Sequence, residues 1–319
     1  MTDTIFDKFE SGDALAASRL MTRVERGGQE AEAVLRRLFP AMGRAYRVGL
    51  TGGTGSGKST LADALTRRFR DDGLTVGIVA EDPTSPFSGG AVLGDRIRMT
   101  GAAGDPGVFI RSIASRGSQS GFSVLADELA DVLDAFGRDV ILLETIGVGQ
   151  LEYKIRYSAL TTVVVFTPES GDDVQGLKSG LMEIGDVFVV NKSDRPGADA
   201  FAAELGATLG MRYSGAAWSP PVVSTVAHRG DGVDELARTL ADHRAHLETG
   251  DGVEARRTEG LRYRTRYLAE EKINGLFWGN PYIEKRFDGI FRRVVSDGLS
   301  PYEAAELLAE TLRIDEENQ

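Results

Sequence analysis

Two kinds of apolar pattern divide the chain. From Asp13 to Phe39 the positions Leu15, Leu20, Val24, Val34, Leu35, Leu38 and Phe39 recur at loosely helical spacing, interrupted by Gly27 and Gly28 and stopped by Pro40. That pattern predicts two helices. From about Tyr46 to His246, short β-branched runs alternate with amphipathic stretches. RVGL precedes TLADALTRRFR, TVGIVA precedes a Gly/Pro-rich loop, and SVLADELADVLDAF precedes DVILLE; TTVVVF, DVFVVN and PPVVST follow, then VDELARTLADHRAHL. Uninterrupted apolar runs separated by helices suit strands covered on both faces. The expected class is α/β, with a mostly parallel central sheet and helices on both sides.

After Gly250 the pattern is helical to the end. Ser300, Pro301 and Glu303 provide an N-cap, a proline in the first turn and a capping-box acid, and Ala304, Leu308 and Leu312 form one face of the helix that follows. Residues 261–319 hold Tyr263, Tyr267, Phe277, Trp278, Tyr282, Phe287, Phe291 and Tyr302, which is 8 of the chain's 24 aromatics, so this segment needs a surface on which to bury them. The expected organisation is a helical lead-in over 1–45, an α/β domain over 46–249 and a helical arm over 250–319.

Composition narrows the chemistry. The 319 residues include no cysteine and three histidines, His228, His243 and His246, so thiolate zinc sites, disulfides and thiol nucleophiles are excluded. A reducing, cytoplasmic location is expected. The net charge of −11 and the lack of an apolar run of about 18 residues argue against nucleic acid and membrane as partners. His243 and His246 share a helical spacing without a third ligand nearby, which reads as a solvated helix face.

The strongest motif is Gly52-Gly53-Thr54-Gly55-Ser56-Gly57-Lys58-Ser59, followed by Thr60, set between a strand-like and a helix-like run. It fits G-x-x-x-x-G-K-[ST], in which glycines let backbone N–H groups face a phosphate at the positive end of a helix. Lys58 is expected to reach the β- and γ-phosphates, and the Ser59 hydroxyl to ligate Mg²⁺. Asn191-Lys192-Ser193-Asp194 follows the DVFVV run. In an N-K-x-D element Asp194 accepts from guanine N1–H and the 2-amino group, a donor pair that adenine lacks. Val226 and Ala227, in a degenerate version of a third guanine loop, are expected to contribute backbone contacts.

Three carboxylates end strand-like runs or follow them: Glu144, Asp82 and Asp95. A hard hydrated cation favours such oxygen donors, so they are candidates to surround Mg²⁺ or to orient water. Gln150, in the segment Thr145–Gln150, is a candidate sensor of the γ-phosphate, and Lys178 a candidate donor of positive charge to the transition state.

Taken together these residues make the chain resemble the MeaB-like P-loop GTPases, the group of the methylmalonic aciduria type A protein and ArgK. The likeness runs from about Leu20 through the tail and rests on TGGTGSGKST at 51–60, EDPTSPFSGGAVLGDRIRM at 81–99, ETIGVGQ at 144–150, GDDVQGLKSG at 171–180 and NKSD at 191–194. The resemblance implies GTP and GDP binding, a homodimer formed through the C-terminal arm, and a GTP-dependent chaperone role for an adenosylcobalamin-dependent acyl-CoA mutase. Two places depart from the family: Thr54 stands where proline is usual, and residues 151–160 carry Tyr157 and Leu160 where aspartates are usual. The second departure implies a changed partner surface, and hence a mutase other than the commonest methylmalonyl-CoA enzyme. The competing readings are a nickel-delivery GTPase, which the missing cysteines disfavour, a P-loop kinase, which NKSD disfavours, and a GTP-binding adaptor that does not hydrolyse.

Overall fold

The computed structural model describes residues 3–82, 104–114, 124–147, 152–169 and 180–311. Seven parallel strands form one sheet in the order β3-β2-β4-β1-β5-β6-β7. They are β1 (Tyr46–Thr51), β2 (Val76–Asp82), β3 (Val108–Ala114), β4 (Val140–Glu144), β5 (Thr161–Phe166), β6 (Val187–Asn191) and β7 (Val222–Thr225). β1 lies at the centre between β4 and β5, so the loop leaving its C-terminal end opens at the middle of the sheet edge where α/β proteins bind ligands.

Alternation along the strands sorts the core into two faces. Val48 and Leu50 of β1 pack with Leu61 and Leu65 of α4 (Lys58–Asp71) and with Leu236 and Leu240 of α8 (Val233–Glu248). On the opposite face Val79, Ile141 and Leu143 meet α2 (Ala14–Arg26), α3 (Gly28–Leu38) and α5 (Val124–Ala135). The two helices expected in the lead-in are α2 and α3, and their apolar stripes belong to the core of the sheet. Sequence patterning missed α1 (Asp3–Glu10), which adds Ile5, Phe6 and Phe9 to that face, β3, and α7 (Ala198–Arg212), which follows α6 (Leu181–Ile184) and packs Phe201 and Leu205 with Phe188 of β6. β3 lies at the sheet's edge, where Arg111 pairs with Glu25 of α2, so a charged residue interrupts its apolar run.

Arg47 and Asp134 tie the lead-in to the sheet. Arg47 Nη2 lies 2.7 Å from Asp131 Oδ1 and 2.9 Å from Asp134 Oδ2, while the Asp134 carboxylate accepts from the N–H groups of Gly43, Arg44 and Ala45. Burial alone pushes the Asp134 carboxyl up, but Arg47 and the backbone donors more than offset it and leave it below its ordinary range.

His243 is not on a solvated face. It is 2% exposed, and its Nδ1 is 2.7 Å from Thr161 Oγ1, which in turn meets the Tyr46 hydroxyl at 2.6 Å. Asp186 lies 3.6 Å from its Nε2 and also pairs with Arg256 of α9 (Gly252–Trp278). Burial holds the imidazole below its usual pKa. Helical spacing cannot reveal this, because the partners arrive from strand ends more than 50 residues away.

The chain forms two compact units, Met1–Gly260 and Leu261–Gln319, which divide inside α9. Within the first, Gly260 packs on the turn Glu152–Tyr157: a Cβ there would lie 2.2 Å from the Tyr157 carbonyl oxygen, and Arg156 pairs with Glu259 at 3.4 Å. The second contains α10 (Pro281–Ser296) and α11 (Pro301–Ala309), joined by a small core of Ile290, Ala304 and Leu308. The capping box is present as expected, with Glu303 N donating to Ser300 Oγ and Ser300 N to Glu303 Oε2.

Asp134→Ala should cost about 3 kcal/mol or more of unfolding free energy in urea, because it leaves the N–H groups of Gly43, Arg44 and Ala45 without their acceptor and takes from Arg47 one of its carboxylate partners, Asp131 and Asp127 remaining. The lowered carboxyl contributes fully above the ordinary carboxylate pKa of about 4, and its contribution is lost as pH falls through the folded value. Acidification should therefore destabilise the wild type more steeply than Asp134→Asn.

Candidate functional site

β1 ends at Thr51, and the glycine loop carries the chain into α4, whose first residue is Lys58. Gly52, Gly55 and Gly57 all take positive φ, which lets the loop curl without side-chain clashes. Lys58 is buried, and its Nζ donates to the carbonyls of Gly52 at 2.8 Å and Gly53 at 3.0 Å. Ser59 and Thr60 follow in the first turn of α4.

Glu144 closes β4 beside β1, in register with Leu50, and accepts a 2.6 Å hydrogen bond from Ser59 Oγ at Oε1. A hydroxyl and a carboxylate in contact at the end of the phosphate loop are hard oxygen donors of the kind Mg²⁺ prefers, so this pair fits the ion. Asp82 ends β2 two residues beyond Ala80, the partner of Glu144 in the sheet. Its backbone is placed near the same edge. Asp95, Gln150 and Lys178 lie outside the described residues. After Glu144 the chain is held to β1 by Thr145, whose N–H donates to Leu50 O at 3.1 Å, and reaches Gly147 over the glycine loop.

The N-K-x-D segment leaves β6 and turns back on this loop. Asn191 is buried; its Nδ2 donates to Ser56 O at 2.8 Å, and its Oδ1 accepts from Thr225 Oγ1 and Ala227 N, each at 3.1 Å. Lys192 takes φ 58° and its Nζ donates to Gly55 O at 2.7 Å. Val226 N donates to Asp231 O at 3.0 Å, which folds the loop after β7. Asp194 is partly exposed, 3.4 Å from Arg229 Nη2. Thus Asn191, Lys192 and Ala227 join the two loops to each other, and Asp194 is left as the carboxylate at the open side. Arg229 was missed by motif reading because it falls in no short pattern; Thr225 belongs to the degenerate third guanine loop, but only strand pairing places it opposite Asn191.

A lysine opening a helix at the end of the central parallel strand, with glycine N–H groups ahead of it, is how P-loop nucleotide hydrolases hold phosphates. Fold and site assign the chain to that class. The family model described as methylmalonyl-CoA mutase-associated GTPase MeaB matches residues 17–282, and the chain belongs to this family of GTP-hydrolysing enzymes. A putative GTPase of Pyrococcus abyssi is 44% identical over 314 residues, covering 97% of this chain and 96% of its own. GTPase ArgK of Escherichia coli is 31% identical over 315 residues, covering 96% and 95%, and the mouse mitochondrial methylmalonic aciduria type A homolog is 30% identical over 272, covering 84% and 66%. A crystal structure titled LAO/AO transport system kinase superimposes with a TM-score of 0.73 at 25% identity, covering 98% of this chain and 97% of that one.

Asn191→Ala should leave Ser56 O, the Thr225 hydroxyl and Ala227 N–H without their partner. Urea unfolding should show a loss of about 3 kcal/mol, and titration with fluorescent GDP an affinity at least about tenfold weaker.

Proposed function

We propose that the protein is a Mg²⁺-dependent GTPase whose nucleotide state gates an adenosylcobalamin-dependent acyl-CoA mutase, controlling cofactor loading and protecting the loaded enzyme. What carries the mutase reading is the family match across residues 17–282, whose description names a mutase-associated GTPase, with a relative named for methylmalonic aciduria. In this reading Lys58 and the amides of residues 53–60 hold the phosphates. Ser59 with Glu144, together with Asp82 and Asp95, would hold Mg²⁺, which when bound neutralises phosphate charge. Gln150 senses the γ-phosphate, Lys178 supplies positive charge, and Asp194 reads guanine. The family match supports GTP over the kinase and nickel-delivery readings, and the chain has no cysteine with which to carry nickel.

The partner surface is narrower than the sequence implied. Of residues 151–160, Ile155, Ala159 and Leu160 are core, and Arg156 is paired with Glu259, so the aspartate-to-leucine change at 160 does not alter a surface. Tyr153 is the exposed aromatic there. The proposal of a mutase other than the methylmalonyl-CoA enzyme therefore rests on Tyr153 and the neighbouring Lys154 and Tyr157.

The helical unit supports a homodimer. Ile273, Leu276, Trp278, Phe291 and Val295 are more than half exposed, an apolar surface that a lone helical unit rarely leaves to water.

Four measurements test this reading. Lys58→Ala should slow GTP hydrolysis at least about 100-fold, and Asp194→Ala should reduce the preference for GTP over ATP by a factor on the order of 10² to 10⁴. The purified mutase of the source organism should bind differently in GDP and in a non-hydrolysable GTP analogue and should accelerate hydrolysis; no binding in either state rules out the chaperone role. Ile273→Asp with Leu276→Asp should convert a dimer to a monomer in sedimentation velocity without loss of hydrolysis.

A further inference from the structure

The Thr54 side chain is not needed for a backbone phosphate cradle, yet it has a specific partner. Its Oγ1 donates to the carbonyl oxygen of Gly147 at 3.0 Å, across 93 residues of sequence. Gly147 lies directly on the glycine loop: with φ +88, a Cβ there would be 2.5 Å from Lys58 Nζ, 2.6 Å from Gly52 O and 3.0 Å from Thr54 N. The chain arrives at Gly147 from Glu144, which accepts from Ser59, and from Thr145, whose Oγ1 is 3.2 Å from Thr51 Oγ1. The short segment 144–147 is thus fixed to β1 at its start and to the crest of the glycine loop at its end.

We propose that Thr54 is a positioning residue for GTP hydrolysis, its hydroxyl holding the Gly147 peptide against the glycine loop beside Lys58. The contact is at the surface, since Thr54 is exposed. Removing its hydroxyl leaves Gly147 O free to bond water, so folding stability changes little. What changes is the fraction of molecules with Gly147 seated beside the lysine that binds phosphate. A single neutral, exposed hydrogen bond shifts such an equilibrium by roughly three- to tenfold.

The test is steady-state hydrolysis of GTP with Mg²⁺ by the full chain, giving kcat and KM, with melting temperatures alongside. Thr54→Val keeps the branched shape and removes the donor, whereas Thr54→Ser keeps the donor and removes a methyl. The expected result is that Thr54→Val lowers kcat about three- to tenfold with KM within about twofold, while Thr54→Ser stays within about twofold of wild type and all three melt together. Thr54→Ala should match Thr54→Val and replaces it if the valine variant folds poorly. The proposal is overturned if Thr54→Val leaves kcat unchanged or raises it, if Thr54→Ser falls as far as Thr54→Val, or if only KM moves.

Discussion

The buried amide of Asn191 is the contact on which the nucleotide site depends. One side chain from β6 donates to the glycine loop after β1 and accepts from the hydroxyl and backbone of the segment after β7. Its partner residues Ser56, Thr225 and Ala227 are buried, where a missing hydrogen bond costs more than a made one gains. The glycine loop, the N-K-x-D segment and the segment after β7 are therefore held together before any ligand arrives. Lys192 repeats the tie at Gly55, so the N-K-x-D segment braces the glycine loop.

Further ties lie beside that braced site and at the start of α9. Glu144 meets Ser59, Thr145 and Gly147 are tied to β1 and the glycine loop, and the turn Glu152–Tyr157 then packs its last residues against Glu259 and Gly260 of α9. Gly260 permits a helix-to-backbone approach that no side chain would allow. The polar cluster of Asp186, His243, Thr161 and Arg256 fixes the start of the same helix to the opposite end of the sheet.

Much of this was legible in short stretches of chain. Six of the seven strands announce themselves as apolar runs, and the capping box of α11, the phosphate loop and N-K-x-D depend only on residues a few positions apart. β3 escaped notice because an edge strand carries Arg111 in its middle, and α1 because it is only eight residues long. His243 was misread because its environment is assembled from β1, β5 and the approach to β6, and Leu160 because a position beside a switch can still be core.

The sequence by itself determined the fold class, the glycine loop and the N-K-x-D segment that follows β6, because these rest on local periodicity and on fixed backbone geometry within single loops. Only the tertiary structure decided that Asn191 braces two loops, that Thr54 reaches Gly147, that Arg47 serves Asp134 and that Leu160 is interior. Those facts depend on which strands lie side by side. A parallel sheet ordered β3-β2-β4-β1-β5-β6-β7 brings together residues about 90 to 135 positions apart, distances over which no spacing rule operates.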